Sequence, residues 1–170
     1  MKTTLLIDIN DTLDDGSDFA YRENMSLDVE CTWVLWPRKW IENFSDFLVE
    51  YKEKLLPIFW TSVWLYGQDF VAKQWLKTEI IWFDGKDFIP LPSSGIFSPS
   101  YPWIGTPKSS DIPTLREYIK DKSEHIIWFE DWLNRLDQNF VETHKDVDYI
   151  SVNQIDTLTS KIPEIIRLIK

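Results

Sequence analysis

Asp8 ends a short apolar run, Leu5-Leu6-Ile7, and leads into Ile9-Asn10-Asp11-Thr12-Leu13. A carboxylate there can ligate a hard cation or act as an oxygen nucleophile. A second run, Pro57-Ile58-Phe59-Trp60, stops at Thr61-Ser62, whose hydroxyls can donate to an anionic oxygen. Lys108 opens a helix after a long irregular stretch and can offset negative charge. A later run, Ile126-Ile127-Trp128-Phe129, gives way to the acidic pair Glu130-Asp131. Ligands of an open α/β sheet bind beyond the carboxyl ends of its strands. A carboxylate, a hydroxyl, an ammonium and an acidic pair are therefore expected on one rim.

These residues need a scaffold of alternating strands and helices. Leu5-Leu6-Ile7 reads as a buried parallel strand. Residues 10–26 are rich in Asp, Asn, Gly and Ser and read as a loop, and 27–36 as extended chain stopping at Pro37. Trp40, Ile41, Phe44, Phe47, Leu48, Tyr51 and Leu55 recur at three and four, which predicts an amphipathic helix over 39–56. A strand over 57–60 and a helix over about 68–77 follow. Segments 80–83 and 88–89 flank Asp84-Gly85, a pair suited to a hairpin turn. Residues 90–107, with many Pro, Ser and Gly, read as a long loop of a kind that is often functional. The remainder reads as helix 111–121, strand 125–129, helix 132–143, strand 148–152 and helix 159–169. The pattern predicts an α/β fold, a three-layer Rossmann-like parallel sheet with helices on both faces. The chain reads as a single domain over 1–170, with insertions at 14–36 and 84–107 near the site and a minimal cap or none.

Composition narrows the function. The 170 residues carry a net charge of −10, and no Lys/Arg run exceeds two. A sequence-independent nucleic-acid binder needs a basic face to displace counterions, and none is evident. A small phosphorylated ligand held by a metal and one or two cations remains compatible. Cys31 is the only cysteine, which excludes an intrachain disulfide and fits a reducing compartment. The apolar start through Ile7 is too brief for a signal peptide or a membrane span, so a cytoplasmic protein without membrane association is expected.

In order and spacing, the rim residues resemble the four motifs of the haloacid dehalogenase (HAD) superfamily: Asp-x-Asp-x-Thr after strand one, Ser/Thr after strand two, Lys before a later helix, and an acidic pair after strand four. The phrases Ile58-Phe59-Trp60-Thr61-Ser62-Val63-Trp64, Trp128-Phe129-Glu130-Asp131 and Asp156-Thr157-Leu158-Thr159 are most similar to the small, nearly capless HAD domains of Swiss-army-knife RNA repair proteins. The resemblance implies a Mg²⁺-dependent phosphatase with Asp8 as nucleophile, acting on a phosphorylated small molecule, a nucleotide or a nucleic-acid end. It implies metal binding by Asp8, the Asn10 carbonyl and the Glu130-Asp131 pair, with Asp131 the more direct ligand. Thr61, Ser62 and Lys108 would contact the phosphoryl group. One position departs from the pattern: Asn10 stands where these phosphatases carry a second Asp. An amide cannot exchange a proton near neutral pH, so slow turnover is one expectation. A catalytically weakened binding module acting through a protein partner is the alternative.

Simpler roles exist for the same residues. Asp8 can be a turn former, Asn10 a turn residue, Asp131 the cap of a helix beginning at Trp132, and Lys108 a surface lysine. A cation at a helix N-terminus is mildly unfavourable, however, so Lys108 needs another reason to be there. His125 and His144 show no ligand spacing. Trp33, Trp36, Trp64 and Trp103 suit pocket walls or stacking platforms.

Overall fold

A computed structural model describes residues 1–8, 12–13, 37–59, 75–77, 81–82, 108–153 and 155–170. Strands β1 (Lys2–Ile7), β2 (Leu55–Phe59), β3 (Ile81–Trp82), β4 (Ser123–Glu130) and β5 (Val147–Ser151) form one sheet in the order β3-β2-β1-β4-β5. Every pairing is parallel. The described helices are α1 (Ile41–Glu50), α2 (Ile112–Ile119), α3 (Arg135–Thr143) and α4 (Leu158–Leu168). A 3₁₀ turn, Lys108–Asp111, runs into α2.

Alternation along the central strands sends side chains to both faces, and both are covered. Leu5 and Ile7 of β1, with Ile127 and Phe129 of β4, pack under α1 and α4 against Phe44, Phe47, Leu48, Leu158 and Ile165. Leu6, Ile126 and Trp128 face the other way, against Ile112, Leu115 and Ile119 of α2 and Leu133. Phe140 and Val141 of α3 pack at the edge of that second cluster. The result is the expected α/β architecture, a parallel sheet between two helical layers. It explains why β1 and β4 read as unbroken apolar runs. Phe44 stacks on Phe129 with centroids 5.4 Å apart and tethers α1 to β4.

Two helix boundaries differ from expectation, and an expected hairpin lies mostly outside the described residues. The helix predicted over 39–56 ends at Glu50, because the chain turns at 51–54 and Leu55 joins β2 opposite Thr3. Leu55 is buried as the periodicity implied, but by the sheet. The Thr3 N–H donates to Lys54 O, so Pro57 faces away from β1, and among the described residues β3 pairs with Ile58 and Phe59. A residue without an N–H is tolerated there. Ile81–Trp82 pairs in parallel with β2; residues 83–90, where the hairpin turn and its second arm were expected, lie outside the described residues, as does most of 68–77. The helix expected from Trp132 starts at Arg135. Its cap is Asn134, whose side chain accepts from the N–H groups of Leu136 and Asp137. The segments 14–36 and 84–107 are likewise outside the described residues. Among the described residues, no helix is long and apolar enough to cross a membrane.

His125 enters near the amino end of β4, buried, with Nε2 3.0 Å from Asp148 Oδ2 of β5. Burial and the Lys170 ammonium hold its pKa below the usual 6.5, against the pull of Asp148 and Asp146. The folded chain therefore resists protonation that the unfolded chain accepts. Stability from neutral His125 is present above about pH 6.5 and is lost as pH falls toward the lower folded value. Glu130, described below, has the opposite linkage, so only a difference between variants isolates the histidine. Thermal midpoints of the parent and His125→Gln, followed from pH 7.5 to 5.5, should show the parent losing more. Parallel curves would refute the assignment.

Candidate active site at the carboxyl rim

The chain builds β1, β2 and β3 outward in one direction and then places β4 and β5 on the other side of β1. The carboxyl ends of β1 and β4 therefore flank the point where strand order reverses, the usual ligand crevice of such sheets. Asp8 follows β1 directly and its N–H donates to Phe129 O at 3.1 Å, which ties it to β4. Glu130 is the last residue of β4 and Asp131 the next. Both Asp8 and Glu130 are buried, at 4% and 6% exposure.

Lys108 reaches into this pair from the 3₁₀ turn. Its Nζ lies 2.9 Å from Asp8 Oδ1 and also donates to Glu130 Oε1. That accounts for a cation at the start of a helical segment, against the helix dipole. Burial opposes the ammonium, but the Asp8 and Glu130 carboxylates outweigh it and push its pKa above the ordinary lysine value. Lys108 is therefore charged at neutral pH. For Glu130 the balance tips the other way. Burial comes first, and with Asp8 nearby it outweighs Lys108, raising its pKa to about 8.

The backbone of the β4 end is pinned on several sides. The Val152 N–H and the Tyr149 hydroxyl both donate to Glu130 O, each at 3.1 Å. The Asp131 N–H donates to the buried Thr12 hydroxyl at 3.0 Å. The Glu130 side chain is gripped from below as well, since the Trp128 indole N–H donates to its Oε2 at 2.5 Å. Asp8, Glu130 and Asp131 each present a carboxylate oxygen, all within 4.8 Å of one another.

This geometry suits a hard divalent cation. Oxygen ligands at such spacing match Mg²⁺ or Ca²⁺ preferences, and three acidic side chains gather about a single ammonium.

Four of the residues expected at the rim, Asp8, Lys108, Glu130 and Asp131, are thus brought together. Asn10, Thr61 and Ser62 lie outside the described residues, as do Cys31 and the tryptophans at 33, 36, 64 and 103. The simpler role for Asp131 fails, since Asn134 caps α3. Lys108 is not a surface lysine either, with its side chain only 11% exposed. Three supporting residues carried no assigned role in the sequence: Thr12 and Trp128, which stand within the motifs, and Asp137. Only Trp128 left a usable signal, because side chains at i and i+2 of a strand share a face and Trp128 stands two before Glu130.

The ion pairs bear on stability. Lys108→Met leaves Asp8 and Glu130 facing each other without their cation. Breaking a buried pair this way costs about 3–5 kcal/mol, toward the lower figure where Glu130 already holds its proton. A fall in thermal midpoint of roughly 6–15 °C without divalent ions is expected at this chain length. Added Mg²⁺ should recover more for the variant than for the parent; equal midpoints would show that the pairs contribute nothing.

No protein-family model matches the chain, and no curated protein or solved structure does either.

Proposed function

We propose that the chain is a Mg²⁺-dependent phosphohydrolase of the HAD type, cleaving a phosphate monoester through an aspartyl-phosphate on Asp8. The observation that carries this reading is the shared Lys108 ammonium, bonded to Asp8 and Glu130 beside Asp131 at the strand-order reversal. A carboxylate nucleophile attacking a phosphoryl group divides hydrolysis into two easier steps. Its problem is repulsion between anions. Lys108 offsets part of that charge, and Asp8, Asp131 and Glu130 would hold the cation that offsets the rest. When bound, Mg²⁺ supplies charge neutralisation and alignment of the phosphoryl oxygens.

Each residue then has a task of its own. Asp8 contributes the attacking oxygen, at the end of a strand fixed on both sides by β2 and β4. Lys108 stabilises charge on Asp8 and on the transferring group. Trp128 holds one Glu130 oxygen while Lys108 holds the other, so this carboxylate keeps one orientation. Thr12 anchors the main chain at Asp131. Thr61, Ser62 and the Asn10 carbonyl complete the set in this proposal, by their resemblance to the family pattern. Phosphoryl transfer depends chiefly on positioning and charge stabilisation, which such a constellation provides.

The test uses an activated aryl phosphate. Phosphate release should require Mg²⁺, stop with a chelator and resume when the metal is restored. Peptide mass spectrometry of quenched reactions should find a phosphoryl group on the peptide bearing Asp8. Chelator-insensitive release, or no release by either the parent or Asn10→Asp together with no Mg²⁺ binding, would reject the proposal.

A further inference from the structure

Lys108 carries a long side chain with about 2 kcal/mol of rotamer entropy, yet both partners require its Nζ at one place. Something must fix the backbone beneath it. The next residue, Ser109, donates its N–H to Asp137 Oδ1 at 2.8 Å, and both residues are buried. Asp137 belongs to the first turn of α3, three residues after the Asn134 cap. An acidic residue at that position commonly folds back to the cap's own N–H, closing a local box. Here the carboxylate reaches instead to a residue 28 positions earlier in the chain. Burying a carboxylate is costly, so its aim at the turn carrying Lys108 needs a reason beyond helix capping.

The connections form a closed path. β4 ends at Glu130, the chain passes buried Leu133 to the Asn134 cap, and α3 presents Asp137. Asp137 holds Ser109, and Lys108 beside it returns to Glu130 and Asp8. The position of Lys108 is therefore referred back to the strand bearing its acidic partner.

We infer that Asp137 is a positioning residue, which sets the Lys108 ammonium between Asp8 and Glu130 through the Ser109 amide. Its catalytic consequence rests on the phosphohydrolase reading; the placement itself does not. Two roles make crossed demands on substitution. A positioning role needs an acceptor at aspartate length, so Asp137→Asn keeps it and Asp137→Glu, one methylene longer, loses it. A helix-terminus role needs negative charge, so Asp137→Glu keeps it and Asp137→Asn loses it.

The experiment acetylates the intact protein with an amine-reactive ester and reads each lysine by peptide mass spectrometry. Lys161, paired with Asp156 where the chain enters α4, serves as the internal reference. Asp137→Ala and Asp137→Glu should raise Lys108 labelling about 10-fold relative to Lys161, while Asp137→Asn restores protection. On the aryl phosphate the first two should lose about 10- to 100-fold in kcat, the scale of a 1 Å misplacement, with KM within about twofold. Asp137→Asn should regain most of that loss. If Asp137→Ala gives no cooperative melt, the Asn and Glu variants decide. Lys108 labelling at the parent level in folded Asp137→Glu, or exposed Lys108 in Asp137→Asn, would overturn the inference. The expected labelling pattern in a parent without turnover would remove the phosphohydrolase reading and leave the placement standing.

Discussion

Asp8→Asn should abolish phosphate release, by about 10⁴-fold or more, the scale on which covalent nucleophiles fail. The amide is nearly isosteric, so the β1 end keeps its shape, and the N–H bond to Phe129 O is a main-chain contact that the substitution leaves alone. What is lost is chemical. A neutral amide oxygen is a poor nucleophile, and the partner that Lys108 meets at 2.9 Å no longer carries charge. The phosphoryl adduct should vanish from the same peptide at the same time. Loss of release combined with a wild-type adduct elsewhere would move the nucleophile away from Asp8. Unaltered release would end the proposal.

Asn10→Asp should raise turnover, by roughly 10² to 10⁴-fold, the usual contribution of a positioned acid or base. Hydrolysis of a monoester needs a proton for the leaving oxygen and later a base for the attacking water. The rim residues bonded around Asp8 are poorly suited to this: Lys108 is held charged by its two carboxylates, and Glu130 has both oxygens engaged. A carboxyl two residues beyond the nucleophile would supply the exchange. The gain should be greatest for alkyl phosphates, whose leaving groups need the proton, and small for an activated aryl phosphate. An equal gain on both substrates would argue against acid catalysis as its cause. No gain on either, with Mg²⁺ binding intact, would favour the binding-module alternative.

Much of this constellation was legible beforehand. Burial on both sheet faces forces strands such as Leu5-Leu6-Ile7 and Ile126-Ile127-Trp128-Phe129 to be uniformly apolar, and the polar residues that stop them mark the rim. Asp8, Glu130 and Asp131 were found that way, because a strand end is a local property, and Lys108 from its place at the opening of a helix. Helix extents were less legible where two burial schemes compete: Leu55 fits the stripe of α1 and the interior of β2 equally, and pairing with Thr3 chose the sheet.

Other features belonged to the tertiary structure alone. That Asp8 and Glu130 share one lysine depends on β4 inserting beside β1, a choice of strand order that no window of sequence encodes. Thr12 meets the Asp131 amide across 119 residues, and Asp137 meets Ser109 across 28. A threonine hydroxyl or an aspartate in a first helical turn has ordinary local uses, so neither announces a distant partner. Periodicity reports which face of an element is buried; hydrogen bonds between elements are settled only when the packed layers bring their ends together.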